Sequence, residues 1–339
     1  MERGIGLDAR LGLGSAQLTQ LGVEAADAGY TSIWTPAGAS GRDAFHVCHD
    51  WLAASDHLTA GTSVVPVATW TPVTLAQQAA TLAERFGDRF ILGIGPGSIT
   101  DADARRAFGL PPTPPLTLMR DWLRALRGLL AGERVDAQGA LVALHGVSLG
   151  FDPPRRVPLY LAAMGPRMLR LAGELADGAM PNWASPAQLE WCRARIAEGA
   201  QRAGRPASAT TLAQYIRVCI DDDVAAARHA FAVQVLGYAM LRPGGDPALG
   251  YRAHFARMGF DDVLKRLEAR RDAGARAGEL ADELPDDLLQ QVGYYGPPAG
   301  ARAAFDRLAA PLDVAIVRVI TTRPDADKAR LALRTLAPA

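Results

Sequence analysis

Short apolar runs recur along this chain, each separated from the next by a longer amphipathic stretch. They are Thr31–Thr35, Leu58–Val67, Arg89–Gly95, Pro158–Ala163, Gly178–Pro181, Ala213–Ile220 and Val314–Thr321, with one more of vague edges around Gly4–Leu13. Runs that are apolar throughout, rather than alternating, mark parallel strands buried on both faces. The stretches between them carry helical spacing, as in Ala16–Ala28 with Leu18, Leu21, Val23 and Ala25, and in Leu75–Phe86, Leu116–Leu130 and Pro186–Gly204. Eight strand–helix units within 339 residues predict one domain, residues 1–339, folded as a closed (β/α)8 TIM barrel rather than an open sheet. Two stretches break the rhythm. Ala131–Arg156 reads as a hairpin excursion with Gly139 and Gly146 as its turn residues. Val235–Asp287 falls between strands 7 and 8 and reads as a helical insertion over the active face, anchored by Tyr251, Phe255, Met258 and Phe260.

Charge removes several function classes. Lys and Arg number 36 and Asp and Glu number 36, so the basic excess of a nucleic-acid or anionic-membrane binder is missing. The three cysteines, Cys48, Cys192 and Cys219, form no CxxC, and the six histidines form no HExxH, so neither a disulfide framework nor a metal site is expected. No GxSxG elbow supports a nucleophilic serine. Without a signal-peptide pattern in Met1–Gly22 or an apolar run of ~18 residues, a soluble cytoplasmic protein is expected.

In such a barrel, ligands bind where the strands end. The strand-end segments here are Thr35–Asp43, Ser63–Pro66, Gly93–Ser98, Met164–Arg167 and Pro181–Trp183. The most telling passage is Val157–Trp183: strand, Gly-Pro turn, helix, strand, ending on Asn182, the sole Asn of the chain. A strand running into a Gly-Pro turn and a helix start leaves backbone N–H groups free for an anion or a phosphate. Ala162, Ala163 and Gly165 let a flat ligand approach the backbone. The run Gly93–Ser98, GIGPGS, has neither the spacing nor the Lys of a phosphate loop, and reads as a tight turn or a ligand-facing loop. A groove lined by Gly and Ala with few ionisable groups suits a redox cofactor, which carries the chemistry while the protein orients it.

Three motifs carry a family resemblance: Leu58–Pro72 (LTAGTSVVPVATWTP), Gly87–Ser98 (GDRFILGIGPGS, similar to GRxxLGIGxG), and the excursion followed by PxYxAAxGPxMxxLAGExADG, all within Ala131–Trp183. The chain resembles the luciferase-like monooxygenase superfamily, in particular its coenzyme F420-dependent oxidoreductases. The resemblance implies a non-prolyl cis peptide at Ser63–Val64, in a bulge that backs the deazaflavin ring. It implies cofactor contacts at Ser63, Val64, Gly95, Gly97, Ala163, Met164, Gly165, Pro166 and Asn182. Gly165 and its neighbours would receive the phosphate, and Asn182 would sit beside it. A homodimer acting on a small-molecule substrate, with no nucleic-acid or membrane partner, is implied as well.

The chain also departs from the family. Its sugar-phosphate dehydrogenases have an Asp-His pair after strand two and a Glu after strand four, where this chain has Pro36-Ala37 and Ser98. Alcohol oxidation by that apparatus is therefore not expected, and reduction of a C=C or C=N bond is favoured. The nearest ionisable or polar groups are Ser40, Arg42, Asp43, His46, Ser98 and Asp101. Of these, Asp43 and His46 are the candidates for catalytic proton delivery, although Asp43 equally suits the cap of a helix beginning at Ala44. Arg42 would pair an anionic substrate or the cofactor's acidic tail. Two alternatives stay open: an FMN-dependent monooxygenase using O2, and a barrel that binds a flavin or metabolite without catalysis.

Overall fold

In this computed structural model, residues 1–7, 9–38, 41–97, 102–153, 156–242 and 245–338 are described. The first half runs β1 (Glu2–Gly6), α1 (Ser15–Asp27), β2 (Ser32–Thr35), α2 (Ala44–Ala54), β3 (Thr59–Thr62), β4 (Val65–Pro66), α3 (Pro72–Phe86), β5 (Phe90–Gly95), α4 (Ala102–Ala107) and α5 (Pro115–Leu130). Then come β6 (Val135–Gly139), β7 (Val142–Val147), β8 (Leu159–Ala162), α6 (Pro166–Leu175), β9 (Gly178–Met180), α7 (Pro186–Arg202), β10 (Thr211–Ile220) and α8 (Val224–Ala239). The last part holds α9 (Gly250–Phe255), α10 (Asp261–Asp272), α11 (Ala277–Asp282), α12 (Asp286–Val292), β11 (Gly293–Gly296), α13 (Pro298–Ala309), β12 (Val314–Val319) and α14 (Ala326–Thr335).

Eight parallel strands close on themselves in the order β1-β2-β3-β5-β8-β9-β10-β12, and β12 returns to β1 with Glu2 opposite Val314. This is the expected (β/α)8 barrel. The expected first strand, vague around Gly4–Leu13, is β1 and starts earlier, at Glu2. The run Leu58–Val67 is two strands, because the chain leaves the ladder after Thr62 and rejoins β5 at Val65. Strand β11 was not anticipated. Its four residues, GYYG, sit against Pro297 and read as a turn, yet they pair with Arg217–Ile220 at the end of β10. The excursion contains an antiparallel pair, β6 with β7. Helix α8 runs through Val235, and α9 to α12 fill the stretch before β11; Pro243 and Gly244 of the expected insertion lie outside the described residues.

Apolar burial falls into three bodies. The largest lies between the outer face of the barrel and its ring of helices, with Leu21, Trp51, Leu75, Trp122, Leu161, Leu189 and Phe305 fully covered. A second unites α8 to α12 with Trp183 and Cys219, through Phe231, Val235, Phe255, Leu264 and Leu288. The insertion thus has its own core, so it forms a built layer rather than a loose loop. The third fills the barrel itself: Trp34, Tyr160, Met180, Ala213, Tyr215, Val314 and Ile316. No helix among the described residues is long and apolar enough to cross a membrane.

Candidate active site

Side chains alternate across a strand, so the barrel filling fixes which residues reach its C-terminal mouth. Ala213 and Tyr215 fill the barrel from β10, and Arg217 follows on the same face. Val314 and Ile316 do so from β12, with Arg318 next, opposite Arg217 in register. On the far side, Gly95 ends β5 and Ala162 ends β8. The mouth therefore has two unlike halves, one of small apolar residues and one of aromatic and cationic groups.

The small half is organised by a break in β3. The peptide Ser63–Val64 is cis, as expected. The Thr62 hydroxyl donates to the Gly93 carbonyl at 2.9 Å and accepts from the Gly93 N–H at 2.9 Å, replacing the backbone ladder there. Gly93 permits this because any Cβ would stand 2.0 Å from the Thr62 carbonyl oxygen. The half-buried Val64 side chain then lies over the glycines of β5: a Cβ on Gly95 would meet Val64 Cγ2 at 2.8 Å and Ala162 Cβ at 3.0 Å. The Ser63 hydroxyl meets that of Tyr215 across the barrel. Beside Val64 a cavity of about 200 Å³ is lined by Ala37, Pro66, Gly97 and Phe108 among others.

Past the end of β8, the turn at Gly165 forms an open cradle of bare backbone at the start of α6. Gly165 caps α6 with no side chain to satisfy the first turn, and Pro166 has no N–H to offer. The N–H groups of Arg167 and Met168 therefore have no intrahelical acceptor. A Cβ on Gly165 would meet nothing within 4 Å, so the cradle is open. Arg257, from the insertion, donates to the Met164 carbonyl at 3.2 Å and sets a cation beside it. Ala163 is buried, its N–H donating to Met180 at 3.2 Å, which ties the cradle to β9.

Asn182 belongs to the other half. Its Oδ1 accepts from Arg217 Nη1 at 2.7 Å and its Nδ2 donates to the Tyr251 hydroxyl at 2.7 Å. A guanidinium only donates, which fixes the orientation of the amide. Arg217 lies 3.8 Å from the Trp183 ring centroid, and burial lowers its pKa to about 10. Tyr251 reaches in from α9, packs edge-on against Tyr238 at 4.8 Å, and burial pushes its pKa up to about 12. Burial also acts to raise the Tyr238 phenol, but Arg217 and Arg10 outweigh it and hold the phenol below its ordinary value.

His254 ties the insertion to the same place. Its Nε2 donates to the Trp183 carbonyl at 2.9 Å, since a carbonyl only accepts, while burial lowers its pKa to about 4. The folded value lies below the unfolded one, so protonation favours unfolding. The contribution is fully present above pH 6.5 and is lost as pH falls from 6.5 towards 4, where it levels off. The gap corresponds to about 3 kcal/mol. Denaturant unfolding at pH 7.5 and pH 4.5 should show wild type losing about 2–3 kcal/mol more than His254→Gln. Equal losses in the two proteins would mean that His254 is not held neutral.

Asp43 and His46 stand together at the rim. Asp43 Oδ1 accepts from the His46 N–H and pairs with His46 Nδ1, both at 2.9 Å, so Asp43 is the cap of α2. The side chains are 44% and 86% exposed, and no hydrogen bond among the described residues joins them to Val64, Gly95 or Asn182. Arg42 donates to Ser15 at 3.1 Å. Ser40, Ser98 and Asp101 lie outside the described residues, and Gly97 is exposed with φ +62°. Sequence reasoning missed Arg217, Arg318, Tyr215 and Tyr238, and it named Trp183 only as part of a strand end and Tyr251 only as an anchor of the insertion. A signal was present for two of them: an Arg at an inward position of an otherwise apolar strand, in YIRVCI and in IVRVI.

A closed parallel barrel with an uncapped helix start and small, glycine-rich strand ends at its C-terminal mouth is a frame suited to a cofactor-using barrel enzyme. The luciferase-like monooxygenase family profile matches residues 5–314, and the chain belongs to that family. It is 29% identical over 300 residues to a 5,10-methylenetetrahydromethanopterin reductase of Methanolobus tindarius, covering 87% of this chain and 86% of the relative. Among solved structures, the coenzyme F420-dependent tetrahydromethanopterin reductase of Methanopyrus kandleri superposes with a TM-score of 0.77 at 22% identity, covering 99% of this chain and 97% of the other. An F420-dependent secondary alcohol dehydrogenase, in complex with an F420-acetone adduct, gives a TM-score of 0.75 at 19% identity, covering 98% and 96%. The protein is thus an oxidoreductase of the luciferase-like type.

Proposed function

We propose that this protein transfers a hydride between coenzyme F420 and a small organic substrate, and that the reaction is the reduction of a C=C or C=N bond. The observation that carries the reading is the open cradle at Gly165 beside the Val64–Gly95 floor: a site for a phosphate adjoining a site for a flat ring. When bound, F420 supplies a hydride-carrying deazaflavin ring. In this reading Val64 and Ser63 back the ring, and Gly95, Gly97 and Ala163 leave it room. Met164, Gly165 and Pro166 shape the turn whose N–H groups hold the phosphate. Asn182, held between Arg217 and Tyr251, positions the far side of the mouth, and the substrate enters beneath α9 to α12. Asp43 and His46 deliver the proton from the rim. Reduction is favoured over alcohol oxidation because Pro36-Ala37 offers no base after β2. A homodimer without nucleic-acid or membrane partners is the assembly this reading carries.

The test is a paired fluorescence titration of the apoprotein with F420 and with FMN, followed by turnover of the loaded wild type and of His46→Gln. Tighter binding of F420, and turnover reduced about a hundredfold in the variant, are expected. Preference for FMN would make the protein an oxygen-using flavin enzyme, as in a solved relative that is a Baeyer–Villiger monooxygenase in complex with FMN. Binding of both without turnover would leave a ligand-binding barrel. Unchanged turnover in His46→Gln would remove the Asp43–His46 assignment.

A further inference from the structure

A guanidinium taken out of water is destabilising unless an anion or a full set of acceptors replaces the hydration. Arg217 is 5% exposed and has one hydrogen bond among the described residues, to the neutral amide oxygen of Asn182. The remaining support is aromatic: the rings of Trp183 at 3.8 Å, Tyr238 at 5.5 Å and Tyr215 at 5.8 Å from the guanidinium carbon. No described carboxylate pairs with it. Asp221, four residues further on, is committed to Lys328 at 2.8 Å and to the Thr322 hydroxyl at 3.1 Å. The residue opposite Arg217 on β12 is a second buried cation, Arg318, 6% exposed and stacked on Tyr215 at 5.0 Å. Two like charges in register, both facing the barrel axis, repel in a place where screening is weak.

The cage around Arg217 is specific. Trp183 adopts φ +56°, a left-handed conformation rare for a bulky residue, and its carbonyl is held by His254. Asn182 is fixed on its other side by Tyr251. These contacts occupy the face and one nitrogen of the guanidinium and leave the rest of its planar donor edge unspent. Such an edge matches a carboxylate.

We propose that Arg217 is an anion-recognition site in the aromatic and cationic half of the mouth, and that it holds a carboxylate or similar oxyanion of the molecules that react there. The oxyanion belongs to the substrate or to the acidic ring hydroxyl of the deazaflavin. The proposal rests on the reading of the mouth as the ligand site given above; its substrate arm is independent of the cofactor, and its cofactor arm rests on F420 as the occupant.

Benzoate is the probe, titrated calorimetrically into apoprotein and into F420-loaded protein, for wild type and Arg217→Gln. In parallel, the ionisation of the ring hydroxyl of bound F420 is followed by absorbance against pH. Benzoate binding to the loaded wild type, weakened at least about tenfold in Arg217→Gln, assigns the site to the substrate. Benzoate binding only to apoprotein, with a ring ionisation that drops on binding wild type and recovers in the variant, assigns it to the cofactor. Benzoate affinity and ring ionisation both unaffected by the substitution would overturn the proposal. Failure of wild type to bind F420 would sink the cofactor reading alone, and benzoate on apoprotein would still decide this one. If Arg217→Gln does not fold, Arg217→Met, which fills the cage without charge, takes its place and is read the same way.

Discussion

Gly165→Asp is expected to abolish coenzyme F420 binding while leaving the protein at least as stable as wild type. Gly165 has φ −87° and ψ 155°, extended backbone that any residue adopts, and its Cβ would enter open space. Asp is among the best helix caps and would turn its carboxylate onto the same first-turn N–H groups, so the melting temperature should hold or rise slightly. The bound phosphate would then meet a fixed negative charge where its donors had been. At ~4 Å and an effective dielectric near 20, that repulsion is about 4 kcal/mol, or about a thousandfold in affinity. Gly165→Ala separates charge from bulk: it should keep most of the affinity and lose up to about 1 kcal/mol of helix capping. Fluorescence titration and a thermal melt read both effects. An Asp variant that binds F420 as wild type does would mean the phosphate lies elsewhere.

Gly93→Ala should damage fold and site together. The added Cβ would stand 2.0 Å from the Thr62 carbonyl oxygen, a backbone atom that cannot rotate away. Either β3 and β5 separate or the two hydrogen bonds between the Thr62 side chain and Gly93 are given up. Overpacking of this kind is destabilising by about 1–3 kcal/mol, and each bond lost adds about 1 kcal/mol. A total near 3–4 kcal/mol is expected by denaturant unfolding. Val64 rests over the same glycine, so F420 affinity measured on the folded fraction should fall at least about tenfold. Wild-type stability in Gly93→Ala would show that β3 has room to move, and that Val64 is not fixed by β5.

The barrel was legible because its strands are buried on both faces, which writes each as a short apolar block such as FILGIG or VAIVRV. Strand β11 was illegible for the opposite reason: Gly293 and Gly296 bracket two tyrosines, and only pairing with the end of β10 makes the segment extended. The Gly165 cradle could be read locally, since strand, Gly-Pro turn and helix are consecutive. The aromatic and cationic half of the mouth could not. Asn182 meets Arg217 35 residues away and Tyr251 69 residues away, and both meetings require the closed barrel and the packed insertion. Asp43 shows a further limit: capping and proton delivery ask for the same residue in the same place, and the cap is what its geometry displays.

The pairing of β1 with β12 also bears on how the chain comes to be folded. On one side residues 4–6 find their neighbours in residues 32–34, almost at once, but on the other side residues 2–6 find theirs only in residues 314–318. At a synthesis rate of ~5–20 residues per second, that edge waits about 15–60 s on the ribosome for its last partner. Until then the growing polypeptide carries an open, apolar strand edge, ready to pair with any other nascent chain. Tyr30, which donates to the Leu333 carbonyl at 2.9 Å, and Arg330, which clasps Glu24, act only after that moment. The same seam that makes the finished barrel edgeless makes its manufacture the stage at which a chaperone matters most.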